Sequence, residues 1–134
     1  MKIKFLVINV SERTNGNTEF AINIAKEILI NVSKKYNVVF DVINLRELSV
    51  KSCNTCEDVE NCNYRTEPCR QNDDLVKVYE KMKEADCLIY ATPVHKFGMP
   101  SLMQSFIDRL GVGYLRFERP LTNKIGGIIA VGRR

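Results

Sequence analysis

Lys2-Ile3-Lys4-Phe5-Leu6-Val7-Ile8-Asn9-Val10, followed at once by Ser11-Glu12-Arg13-Thr14-Asn15-Gly16-Asn17-Thr18, is the stretch from which the architecture can be read. The first nine residues are short, nearly continuous in apolar character and rich in β-branched side chains. A strand buried on both faces of a parallel sheet reads that way. The next eight are polar. Phe20, Ala21, Ile24, Ala25, Ile28, Leu29 and Val32 then recur at helical spacing, and Asn17 or Thr18 is placed to cap that helix.

Working outward, the same pattern returns. Val38–Leu45 reads as a second strand, led in by Asn37. Leu48–Gln71 has no clean period and carries the cysteines. Asp73 and Asp74 stand at the positive end of a helix marked by Leu75, Val78, Tyr79 and Met82. Cys87–Ala91 is a third strand and Thr92–Gly98 a loop. Pro100 suits the first turn of a helix carrying Leu102, Met103, Phe106, Ile107 and Leu110, which Gly111 and Gly113 can end. Ile125–Val131 is a fourth strand. Strands alternating with helices specify an α/β fold, a doubly wound parallel sheet in three layers. The reading is one domain over residues 1–134 with a cysteine loop at 48–71. Three helices for four strands leave it C-terminally incomplete. The under-covered sheet favours a homo-oligomer.

Composition bounds the function. The chain has 134 residues, 45% hydrophobic and 27% charged, which suits one globular domain. Its net charge is +4, yet the basic residues are scattered. A nucleic-acid binder shows a basic stripe, so no nucleic acid is expected as the main partner, whereas small anionic ligands suit the balance. The longest apolar runs, Phe5–Ile8 and Ile128–Val131, fall far short of the ~18 residues that span a bilayer. No membrane is expected, and no cleavage site follows the N-terminal strand, so the expected location is cytoplasmic.

Three motifs carry chemistry. The loop Ser11-x-Arg13-x-x-Gly16-Asn17-Thr18 joins a buried strand to a helix N-terminus, where unpaired N–H groups and the helix dipole favour a phosphate. It is neither G-x-G-x-x-G nor a Walker loop, and an ordinary polar turn is the alternative. The loop Thr92–Ser101 leaves the carboxyl end of the third strand, where open α/β sheets bind ligands, and holds the one histidine, His95. A solvated loop histidine is the alternative there. Cys53-x2-Cys56-x5-Cys62-x6-Cys69 places four thiols in one loop, fit for a [4Fe–4S] cluster or a zinc ion. Zinc sites show two close pairs and here only the first is close, so the spacing leans to iron–sulfur. Two disulfides are the remaining alternative. Cys87, inside an apolar strand, reads as a core thiol. Asp108-Arg109 reads as a local salt bridge. There is no Ser/His/Asp arrangement.

Ser11–Thr18 resembles the S-P-R-x-x-G-N-T loop of the NAD(P)H-dependent FMN reductase branch of the flavodoxin-like superfamily. Thr92-Pro93-Val94 with Phe106-Ile107-Asp108-Arg109 resembles that family's T-P-V-Y…F-I-D-R segment. The thiol cluster resembles the compact cysteine motif of the iron–sulfur flavoproteins, and Pro120–Arg134 is similar to their fourth-strand region. The resemblance implies a flavodoxin-like fold binding FMN. Its contacts would come from Ser11, Arg13, Asn15, Gly16, Asn17 and Thr18 for the phosphate. Pro93, Val94, His95, Lys96, Phe97 and Gly98 would lie against the ring. It further implies a [4Fe–4S] cluster on Cys53, Cys56, Cys62 and Cys69, and electron exchange with ferredoxin-like partners. The chain departs from the family in the five-residue gap after Cys56, where two is usual, and in His95, where tyrosine is frequent. Family members also continue through a further flavin loop, two helices and a fifth strand. The other readings are an NAD(P)H-dependent FMN or quinone reductase with structural, zinc-binding cysteines, and a non-catalytic flavodoxin-like module.

Overall fold

The computed structural model describes residues 2–33, 36–54, 68–116 and 119–132. Strands β1 (Lys2–Asn9), β2 (Asn37–Asn44), β3 (Cys87–Pro93) and β4 (Ile125–Val131) alternate with helices α1 (Asn17–Val32), α2 (Leu75–Glu84) and α3 (Ser101–Leu110). The sheet is parallel throughout, in the order β2-β1-β3-β4. Phe5 stands in register with Phe40 on one side and Cys87 on the other, and Cys87 with Ile125. The chain moves one way from β1 to β2 and the other way from β3 to β4. Direction therefore reverses between β1 and β3.

The apolar run of β1 is explained by its central place. Val7, Ile8 and Val10 are fully buried. Alternate residues serve opposite faces. Leu6, Ile8, Val10 and Leu88 pack with Val78 and Met82 of α2 and with Met103 and Phe106 of α3. Val7 and Ala91 pack with Ile22 of α1 on the other side. The sheet is thus the middle of three layers, as the sequence predicts. On β4, one of the two edge strands, Ile125 and Ile128 are 69% and 75% exposed.

Several boundaries differ from the sequence reading, each for a local reason. β1 ends at Asn9, and β2 ends at Asn44 because Leu45–Glu47 tighten into a 3₁₀ turn that buries Leu45. β3 runs two residues past Ala91, drawn out by pairing of Thr92 with Ala130 and of Pro93 with Val131. Neither Asn17 nor Thr18 caps α1. Both lie within its first turn, Gly16 is the cap residue, and no side chain bonds the cap. Gly111 does not end the helical path after α3, which continues through a wider π-type turn over Gly111–Leu115. No described helix is long and apolar enough to cross a membrane.

Candidate functional site

The reversal of strand order places two loops side by side. One follows β1 and the other follows β3, and Val10 N donates to Ala91 O at 2.9 Å where they part. Crevices at such a switch, outside the carboxyl ends of the strands, are where open α/β sheets bind ligands.

The first loop is tightly pre-formed. Asn9, fully buried, accepts the Ser11 N–H on its Oδ1 at 3.0 Å, and its amide donates to Asn44 Oδ1 at 3.0 Å. Ser11 Oγ accepts from Arg13 N and donates to Arg13 O, both at 3.3 Å. Asn15 adopts a left-handed φ of 55°, which asparagine tolerates better than most residues. Its N–H donates to Glu19 Oε2 at 2.9 Å. Ser11 and Thr18 are buried, whereas Arg13 and Asn17 are exposed. With no side-chain cap on α1, its first N–H groups remain available to an anion.

The second loop is a tight turn. His95 N donates to Gly98 O and Gly98 N to His95 O, each at 2.9 Å. Lys96 and Phe97 between them both have positive φ, 48° and 65°. That conformation strains residues carrying a side chain, and it holds Phe97 wholly in solvent. His95 and Lys96 are exposed as well. Thr92 is buried, its hydroxyl donating to Pro93 O at 3.0 Å, while Val94 N continues the ladder to Val131 O at 2.8 Å.

The cysteine loop leaves the carboxyl end of β2 and returns at α2. Cys56 and Cys62 lie outside the described residues. Cys53 is an exposed free thiol and Cys69 a half-buried one. Among the described residues no three metal-ligating side chains are gathered. The two ends of the loop are nevertheless fastened together. Gln71 Nε2 donates to Asn54 Oδ1 at 2.7 Å and to Ser52 O at 3.3 Å, on either side of Cys53. Asp73 Oδ2 accepts Lys51 N at 3.0 Å, and Asp74 Oδ2 accepts Ser49 N at 2.8 Å. Cys53 and Cys69 are thiols, the donor type that a thiolate-held metal group requires.

Arg109, at the end of α3, completes this fastening. Its side chain and that of Asp73 are 1% and 0% exposed, and they form an ion pair. It also donates to Lys51 O at 3.1 Å and to Cys69 Sγ at 3.5 Å. Burial pushes the Asp73 carboxyl up, but the hydrogen bond from Arg109 and the N–H groups of Lys51 and Leu75 pull harder, leaving it below its usual value. The local Asp108–Arg109 bridge expected from sequence does not form. Neighbours on a helix diverge by about 100°, and Asp108 instead accepts from Gln104 Nε2 at 2.7 Å. Cys69 N donates to Gly113 O at 2.9 Å. A cleft lined by Cys69, Arg70, Asp73, Tyr79, Glu80 and Tyr114 opens beside it. Cys87 is buried, as expected, and desolvation together with the neighbouring Asp86 carboxylate raises its thiol pKa.

Sequence reasoning missed Arg46, Gln71 and the Asp73–Arg109 pair. Arg46 is 12% exposed, donates to Ser11 O at 3.3 Å, and lies 3.7 Å from Glu19 and 3.5 Å from Glu47. It braces the first loop from the end of β2. The only signal was the acidic Asp73-Asp74 doublet, which reads equally well as a helix-dipole pair.

Known proteins resemble this chain in sequence and in fold. The chain is 31% identical over 130 residues to an iron-sulfur flavoprotein of Methanosarcina thermophila, covering 97% of this chain and 63% of that protein. It is 30% identical over 133 residues to an iron-sulfur flavoprotein of Methanocaldococcus jannaschii, covering 97% of this chain and 62% of that one. The chain thus spans somewhat under two thirds of these relatives' length. In fold it is similar to an NAD(P)H:quinone oxidoreductase from Methanothermobacter marburgensis, with a TM-score of 0.70 at 14% identity over 98% of this chain and 65% of that one. The family model described as NADPH-dependent FMN reductase matches residues 3–134. With that match over nearly its whole length, and with the flavodoxin-like sheet beneath it, the chain belongs to the NADPH-dependent FMN reductase family.

Proposed function

We propose that the chain is a redox flavoprotein that binds FMN and a [4Fe–4S] cluster and passes electrons between ferredoxin-like donors and acceptors. The observation that carries this reading is the pairing of two pre-formed loops at the β1–β3 switch, one with an uncapped helix N-terminus and the other with an exposed aromatic turn. Ser11, Arg13, Asn15, Gly16, Asn17 and Thr18 hold the FMN phosphate, and residues Pro93–Gly98 flank the ring. Cys53, Cys56, Cys62 and Cys69 hold the cluster. The relatives named iron-sulfur flavoprotein support the second group. We place the protein in the cytoplasm, as a single domain that assembles as a homo-oligomer.

FMN exchanges electrons in pairs or singly and a cluster singly, so the two groups supply the redox chemistry. The protein's residues bind, orient and exclude water. The α1 N–H groups and the Arg13 cation neutralise the phosphate. The Asn9–Asn44 hydrogen bond keeps the loop shaped before any ligand arrives. The bonds from Gln71 and Arg109 keep the two ends of the cysteine loop together.

The test is metal and flavin analysis on anaerobically purified protein. About four irons and four sulfides per chain are expected. Serine at any of the four loop cysteines should remove most of the iron, and Cys87→Ser none. Zinc without iron would replace this reading by a reductase with structural thiolates. A chain that takes up no FMN in a fluorescence titration would remove the flavin assignment.

A further inference from the structure

We propose that Arg109 is the positioning residue of the cysteine site, presenting a hydrogen-bond donor to Cys69 and thereby setting the reduction potential of the group the thiolates hold. The inference rests on the iron–sulfur reading above.

A fully buried ion pair is a weak stability device, since desolvation of both charges offsets their attraction and apolar side chains of similar volume often serve as well. Here the guanidinium is divided between two tasks. One nitrogen faces Asp73 and Lys51 O, and another faces Cys69 Sγ at 3.5 Å. Nε is buried and finds no partner among the described residues, so the head group is not placed to satisfy all its own donors. Its carbonyl and sulfur partners sit at opposite ends of the cysteine loop, Lys51 two residues before Cys53 and Cys69 at the far end. The segment after α3 adds a second hold on Cys69 through Gly113 O. Backbone and sulfur of one proposed ligand are therefore both held from the end of α3 and the turn that follows it. Donors to cluster sulfur, and nearby positive charge, favour the reduced and more negative cluster. Asp73 keeps the guanidinium oriented, and a lysine there would keep charge but lose the planar fork.

Two variants test this. Arg109→Lys keeps a cation against Asp73. The double variant Asp73→Asn, Arg109→Gln removes both charges and keeps a neutral pair, so a folding failure in one leaves the other to decide. FMN affinity, assigned above to the β1–β3 switch and to neither of these residues, reports on folding and should be unchanged. Cys69 amide hydrogen exchange in the protein as purified should quicken about tenfold or more. In a dithionite titration each cluster gains one electron and no bond forms or breaks. The midpoint should fall by about 59 mV, equivalent to tenfold in a one-electron equilibrium. If the native chain holds iron and both variants match its potential, the proposal is overturned, whether or not exchange quickens. If the native chain holds no iron, the cluster reading fails and takes the proposal with it.

Discussion

Replacing Gly113 by alanine would place a methyl carbon 2.9 Å from Cβ of Cys69, closer than carbon atoms approach. Two residues earlier, a methyl on Gly111 would meet nothing within 4 Å. Both glycines lie in the π-type turn after α3, and neither has a positive φ. The two substitutions therefore share a backbone and differ in surroundings. Gly111→Ala should stabilise by about 0.4–1 kcal/mol, because the unfolded chain loses freedom that the folded one does not use. Gly113→Ala has the same gain but overpacks Cys69, at a cost of about 1–3 kcal/mol. It also endangers the Cys69 N to Gly113 O hydrogen bond, worth about 1 kcal/mol. The net should be a loss of roughly 1–3 kcal/mol. Urea unfolding followed by circular dichroism measures both, and iron content should fall only in Gly113→Ala. Equal effects of one sign would refute the reasoning, since they would mean Cys69 does not stand against Gly113.

Arg13→Ala should weaken FMN binding by roughly ten- to a hundredfold, the worth of one charge-assisted phosphate contact, as read by flavin fluorescence. Thr18→Ala should weaken it less, and unchanged affinity in both would remove this loop from the site. Asp73 is held below the usual carboxylate value of 3.8 in the folded chain. Its contribution is therefore complete above that value and is lost as pH falls through the depressed one. Asp73→Asn should flatten the acid limb of stability below about pH 4, and an unchanged limb would count against a buried, ionised Asp73. Lys96→Asn with Phe97→Gly gives the turn its preferred residues and should raise stability by about 1–2 kcal/mol in the same unfolding assay. No gain would mean the turn is unstrained.

The strand-loop-helix order, the parallel sheet and the polar loops that follow β1 and β3 were legible from residues alone. Their signals are local: an apolar run, a helical period, a cluster of hydroxyls before a helix. The burial of Cys87 was legible for the same reason, since Leu88-Ile89-Tyr90 continue its strand. Boundaries were less so, because pairing partners drew β3 out to Pro93 and a turn cut β2 short. What only the tertiary structure decided is which charges meet. Arg109 has an acid next to it in sequence, yet pairs with one 36 residues away. Successive side chains diverge around a helix axis, while packing of α2 against α3 brings distant ones together. The same holds for Gly113, whose value lies in a neighbour 44 positions earlier, and for Arg46 beneath Ser11. Periodicity records which face of an element is buried, whereas the identity of the group opposite exists only once the layers have closed.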